Sequence, residues 1–224
     1  ALGAGTVTGS IVRNIFFLDG DIDNQIVAHE WGHYISNRLV FNSSGLQANM
    51  SRGIGEGWGD FHAMLITVRP EDTLNPTNDH WQGVYALAAY STSGLFAPNN
   101  YYFGIRRYPY STDMTKDPLT YKHISDAVAL PVGPPVAPNG APNSEVHNTG
   151  EVWTTMLWEC YAALLRDTLG ATPRLTFAEA RDRMRDYIVA AYKLTPANPN
   201  LLEARDAVLA AALAGDPVDF ELFG

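Results

Sequence analysis

The chain has 224 residues, enough for one large domain or two small lobes with a core. Hydrophobic residues make up 46% and charged residues 17%, the balance of a globular chain and not a disordered one. A formal net charge of −9 argues against nucleic acid or an anionic membrane as partner, and no apolar run approaches the length that spans a bilayer.

The numbering starts at Ala1 with no visible signal peptide, as expected of a processed chain or a fragment. A single cysteine, Cys160, excludes an internal disulfide framework and reads as a core thiol on an apolar helix. Residues 1–18 are Gly-rich and then β-branched. The loose alternation from Thr6 to Phe17 predicts a strand or a hairpin remnant. Asp19-Gly20-Asp21-Ile22-Asp23-Asn24 follows. Its alternating carboxylates raise the possibility of Ca²⁺, but Asn24 stands where a calcium loop needs glycine. The expectation is a turn that ends in an Asp23 helix cap, and Ca²⁺ is not supported.

The next helix is predicted over 24–40, and it carries His29-Glu30-Trp31-Gly32-His33. Two histidines four apart project from one helix face, so both imidazoles can reach a single Zn²⁺. Glu30 falls beside that metal without aiming at it. It can take a proton from a metal-activated water and pass it to a leaving amine. Ile26 shares this face, while Val27, Trp31, Ile35 and Leu39 are expected to anchor the helix in the core on its other sides.

A catalytic zinc takes three protein ligands and keeps one position open. After a loop predicted over 42–53, Gly55-Glu56-Gly57-Trp58-Gly59-Asp60 supplies a candidate third ligand. Glu56, opening a second helix, can bind the metal. Asp60, four residues on, can accept the free N–H of a ligand histidine, most readily His29. Ser36 and Leu39 stand where a three-histidine site would need glycine and histidine, which excludes that type. His62 points elsewhere and reads as structural, and His80 and His123 carry no assignment.

Further along, a helix is predicted over 79–92 from Trp81, Val84, Tyr85, Leu87 and Ala88. Residues 94–123 are aromatic and turn-rich. Residues 125–144 hold five prolines and read as a semi-rigid insert beside the cleft. A long helix should then run to Leu169, with Gly170 ending it. Thr176-Phe177-Ala178-Glu179 is a capping box for a helix to about Leu194, and Asn198 with Pro199 starts another that ends at Gly215.

The zinc-helix segment and Gly55–Phe61, with Gly104-Ile105-Arg106-Arg107-Tyr108-Pro109-Tyr110-Ser111 and Glu145-Val146-His147-Asn148-Thr149-Gly150-Glu151, resemble the fungalysin family of zinc metalloendopeptidases. The resemblance runs from about residue 19 to 160 and keeps the motifs in family order. It departs at Trp31, Gly32 and Tyr34, where the family often has tyrosine, threonine and glycine. The resemblance implies zinc held by His29, His33 and Glu56 in a secreted enzyme acting on proteins or peptides. It implies that Arg106 or Arg107 holds a substrate carbonyl. It also implies that His147 stabilises the negative charge that builds on the carbonyl oxygen. Family members carry a long β-rich segment before the zinc helix, where this chain has 28 residues.

The expected fold is therefore mainly α, a glutamate-type, thermolysin-like zincin lobe in a single domain, 1–224. It would comprise a β remnant at 1–18, a helical lobe at 19–224 and the Pro-rich insert at 125–144. The expected partner is an N-terminal β lobe, from the same precursor or a separate chain, covering an apolar wall behind Trp31 and Trp58. The alternative is a non-catalytic, zinc-stabilised module forming half of a larger secreted protein.

Overall fold

The computed structural model describes residues 4–6, 14–16, 19–92, 100–137 and 139–224, and they are mainly helical. Strands β1 (Ala4–Thr6) and β2 (Asn14–Phe16) pair antiparallel with Gly5 opposite Ile15, so the segment expected to be extended holds a hairpin. The rest of residues 1–18 lies outside the described residues.

Helix α1 (Asn24–Leu39) starts as its sequence predicts, with the Asp23 side chain accepting from the Gln25 N–H at 2.9 Å. The second Asp23 oxygen takes the Ser91 N–H at 2.9 Å, and Asp19 accepts from the Asp21 N–H at 3.0 Å. These carboxylates of the acidic turn serve as caps.

The expectation that α1 is buried on most sides does not hold. Its buried residues are Ala28, His29, Gly32 and Ser36, while Val27 is 52% and Trp31 54% exposed. Small residues form the buried face because helix α2 (Asn49–Thr67) lies against it at close range. A Cβ on Gly32 would meet the Gly59 Cα at 2.9 Å.

Helix α2 begins earlier than predicted, inside the stretch expected as a loop, so Glu56 sits within the helix and not at its start. Two physical reasons account for this. The Asn198 Oδ1 accepts the Gln47 and Ala48 N–H groups at 2.9 and 2.8 Å, which fixes from across the fold the stretch that leads into α2. The glycines, each costing a helix interior about 1 kcal/mol, permit close contact along α2. A Cβ would meet the Thr149 side chain at Gly53 and the Gly150 carbonyl at Gly57, both within 2.7 Å. Trp58 is fully buried, edge-on to Trp153 and Tyr192, so the wall expected behind it is covered and only Trp31 remains exposed.

The helix predicted over 79–92 is absent except for its last turn, α3 (Ala89–Thr92). The Asn78 side chain accepts the Gly83 N–H at 2.7 Å and donates to the Tyr85 hydroxyl at 2.8 Å, and Trp81 and Ala88 adopt φ of 62° and 54°. Tyr85 then exchanges backbone hydrogen bonds with Tyr110 at 2.9 and 3.0 Å. Long-range pairing overrides the apolar pattern and carries residues 85–88 beside residues 104–110. Helix α4 (Asn100–Phe103) precedes that second stretch.

The described part of 125–144 is irregular, as its prolines require. Helix α5 (Val146–Arg166) crosses α2 and ends short of Leu169, where Asp167 and Gly170 (φ 90°) close the turn. Helix α6 (Phe177–Leu194) opens on the predicted Thr176–Glu179 capping box. Helix α7 (Leu201–Gly215) starts at an Asn200 cap, after the predicted Asn198. Helix α8 (Pro217–Phe223) was not anticipated. It is tied to the fold by buried Asp219, which accepts from Arg174, Arg183 and the Tyr187 hydroxyl.

His62 packs inside, its Nε2 2.7 Å from the Tyr192 hydroxyl, and burial lowers its pKa to about 4. Burial on α5 pushes the Cys160 thiol up to about 12, far from a reactive thiolate. No described helix is long and apolar enough to cross a membrane.

Candidate metal centre

The α1–α2 interface brings together the four chemistry-bearing residues that two i,i+4 spacings imply. From α1, His29 and His33 point at α2, their rings edge-on with centroids 4.6 Å apart. From α2, Glu56 points back. Its Oε2 lies 3.3 Å from His29 Nε2 and 3.4 Å from His33 Nε2. Ligand atoms placed tetrahedrally at zinc bond lengths of about 2.0–2.1 Å are about 3.3–3.4 Å apart, so the donor set fits. Glu56 Oε2 is also buried without an aligned hydrogen-bond partner. Among the described residues, His29, His33 and Glu56 are the group whose donor atoms could hold a metal ion.

Asp60 is fully buried one turn further along α2 and fixes the His29 ring. Its Oδ1 lies 2.7 Å from His29 Nδ1, which assigns the ring proton to that nitrogen and leaves Nε2 free for a metal. The Arg106 guanidinium grips the same carboxylate through Nε at 2.6 Å and Nη2 at 2.7 Å, and the Tyr110 hydroxyl donates to it as well. Burial by itself would raise the Asp60 pKa. The Arg106 charge and these bonds outweigh it and hold the carboxyl well below the usual range. Burial likewise opposes charge on His29, yet its bond to Asp60 and the Glu56 carboxylate close beside it lift its pKa to about 9.

His147 enters from the first turn of α5. Its Nδ1 lies 2.8 Å from Glu145 Oε1, and its Nε2 lies 3.4 Å from Glu56 Oε2, so the ring faces the ligand group without belonging to it. Glu145 is also the cap of α5, its other oxygen accepting the His147 N–H at 2.9 Å and the Asn148 N–H at 3.2 Å. Helix α5 can come this close because Gly150 faces α2, where a Cβ would meet the Glu56 Cβ at 2.8 Å.

Glu30 is exposed at the rim of a cavity of about 160 Å³ lined by Ile26, His29, Leu87, Ala88, Ile105, Arg106 and His147. Four of these lining residues, Leu87, Ala88, Ile105 and Arg106, come from the two bridged stretches described above. The arginine pair divides. Arg106 reaches this cavity, whereas Arg107 is 2% exposed and bonded to Glu151, Asn143 and the Asn148 carbonyl. Sequence reasoning missed Glu145 and Tyr110. An acidic residue opening a helix marks Glu145 in retrospect, but nothing local marks Tyr110.

A family model described as fungalysin metallopeptidase (M36) matches residues 13–216. The chain belongs to the fungalysin family. Among curated fungalysin relatives, the extracellular metalloproteinase mep of Aspergillus niger is 36% identical over 203 residues, which cover 86% of this chain and 27% of the relative. Extracellular metalloproteinase 10 of Coccidioides posadasii is 35% identical over 88% of this chain and 28% of its own length. Extracellular metalloproteinase 3 of Trichophyton soudanense is 35% identical over 86% of this chain and 44% of its own. The chain thus spans about a quarter to under half of these fungalysins. Family membership implies a metal, and the His29–His33–Glu56 group is where the described residues can hold it.

Proposed function

We propose that this chain is the catalytic lobe of an extracellular zinc endopeptidase, with His29, His33 and Glu56 as the zinc ligands. The observation that carries this reading is the convergence of the two histidines on buried Glu56 Oε2 at 3.3–3.4 Å, with Glu30 on the rim of the adjoining cavity. Zinc bound there supplies a Lewis acid and makes water a competent nucleophile near neutral pH. Glu30 takes the proton of the attacking water and returns it to the leaving amine. His147, its Nδ1 anchored on Glu145, aims Nε2 at the developing oxyanion. Asp60 orients His29. Arg106, fixed on Asp60, borders the bound carbonyl, while Arg107 braces the start of α5.

Substrate grip requires more than this lobe. An extended peptide is held by adding it to a sheet edge, and the strands described here are three residues each. Val27, Trp31, Tyr34 and Ile66 form an uncovered apolar groove of about 640 Å³ with Asn24 and Arg69. We assign its cover to an N-terminal β lobe, drawn from the part of the relatives that this chain does not match.

The non-catalytic alternative is disfavoured by Glu30, which a purely structural site has no use for. The test is the full-length protein with Glu30→Gln. Zinc content near one per chain should persist while casein turnover falls by several orders of magnitude. Retained turnover would remove Glu30 from the mechanism, and lost zinc in the parent protein would remove the ligand set.

A further inference from the structure

A second cavity, of about 260 Å³, opens on the metal ligands from the other side. It is lined by His33, Glu56, Asn37, Leu46, Gln47, Gly55, Val146 and Arg52. Its place along α1 is informative. Ile26 lines the first cavity, one turn before His29, and Asn37 lines the second, one turn after His33. Eleven residues of helix separate them by about 16 Å, the span of roughly five residues of extended peptide. A peptide lying over the metal ligands along α1 therefore passes both cavities.

Their chemistries differ. The first is walled by Ile26, Leu87, Ala88 and Ile105, and its arginine is already bonded to Asp60. The second offers Asn37 and Gln47 as neutral hydrogen-bonding groups, both exposed, and one cation, Arg52. Arg52 is exposed on α2 and pairs with no carboxylate among the described residues. Glu56 in the same cavity has its charge turned to the histidines. In a chain of net charge −9, an uncommitted guanidinium beside the metal ligands is a local reversal of sign. Guanidinium matches carboxylate geometry with two parallel donors.

Building on the peptidase reading, we propose that Arg52 forms an acid-selective subsite, taking an aspartate or glutamate side chain of the bound peptide. The cavity is open to water, so the discrimination is that of an exposed pair, about fivefold between Glu and its neutral isostere Gln.

The test uses the full-length protein with Glu30→Gln, loaded with zinc, so that peptides bind without being cut. Dye-labelled, C-terminally amidated peptides differ at one scanned position, which is Glu, Gln or Lys. A further peptide carries Gln throughout and a free C-terminal carboxylate. Anisotropy titrations should show one position at which Glu binds about fivefold tighter than Gln, with Lys weaker still. Adding Arg52→Gln should erase the difference, and Arg52→Glu should turn the preference to Lys. Asn37→Asp, which keeps Arg52 but adds a competing carboxylate, should lower it. Equal binding of Glu and Gln at every position, or a preference that survives Arg52→Gln, overturns the proposal. So does a preference confined to the free C-terminal carboxylate. The parent protein's cleavage of a neutral peptide is measured separately. Failure there with the Glu preference intact sinks the peptidase reading and leaves the acid-selective subsite standing.

Discussion

Replacing Asp60 by asparagine should weaken both the fold and the metal site, by separable routes. Asp60 is 0% exposed, and its carboxylate is the only anion gripping the buried Arg106 guanidinium among the described residues. Removing one partner of such a pair leaves an uncompensated charge and costs about 3–5 kcal/mol. For a chain of this length that lowers Tm by roughly 10 °C. Separately, the His29 Nδ1–H is left with a neutral amide oxygen in place of a carboxylate, a weaker hold on the ring, and second-layer losses of this type weaken metal binding about 10–100-fold. Thermal unfolding followed by circular dichroism reads the first effect, and zinc competition against a chelator reads the second. The double change Asp60→Leu with Arg106→Met removes both charges. It should restore most of the stability while zinc affinity stays low. Parent-like zinc affinity in Asp60→Asn, or its recovery in the double variant, would show that Asp60 only balances Arg106 and does not orient His29.

Three further outcomes follow from the geometry. Gly59→Ala puts a Cβ 2.7 Å from His29 Nδ1, so zinc affinity should fall at least tenfold although alanine is the better helix former, while Gly133→Ala, with open space around it, should change nothing. Glu145→Gln keeps a cap for α5 but weakens the hold on His147, so kcat should fall about 10–100-fold with KM little changed, and an equal fall in stability would point to capping instead. His62 is held near 4 by burial, below its ordinary 6.5, so the unfolded chain binds the extra proton between those values. Its contribution, up to about 3 kcal/mol, is present above pH 6.5 and lost as pH falls towards 4. Denaturant titrations of parent and His62→Gln should converge as pH drops through that window.

The candidate metal-binding group was legible because each spacing that matters is local. His29 and His33 are one turn apart, as are Glu56 and Asp60, and a helix converts that spacing into a shared face. The Asp23 cap and the Thr176–Glu179 box were legible for the same reason. The misplaced boundaries of α2 and of the 79–92 segment concern groups brought together from far along the chain. The loop predicted over 42–53 gives way to helix from Asn49 once Thr149 is placed against Gly53, and Gly150 and His29 pack against Gly57 and Gly59 further along α2. The α2 start depends on Asn198, about 150 residues away in sequence, and the 79–92 pattern yields to a backbone pairing with Tyr110. Burial of α1 was overestimated because periodicity shows which residues share a face without showing which face is covered.

The two sides of α1 also explain why the site and its proposed cover belong together. One side is stripped to Ala28, Gly32 and Ser36 so that α2 can approach and hold the ligand atoms at fixed separation. The opposite side carries Val27, Trp31 and Tyr34, the last two stacked with ring centroids 4.9 Å apart and Arg38 lying over Tyr34. Glu30 stands between the sides and lines both the metal-facing cavity and the Trp31 groove. Covering that groove therefore excludes water from Glu30 on its far side, and electrostatic contacts strengthen when water is withdrawn. A lobe that docks on Trp31 to complete the peptide grip would thus also dry Glu30, the side chain proposed to move the proton. Binding and chemistry would then depend on the same cover, and a substitution such as Trp31→Glu should depress turnover in the full-length protein while leaving zinc content intact.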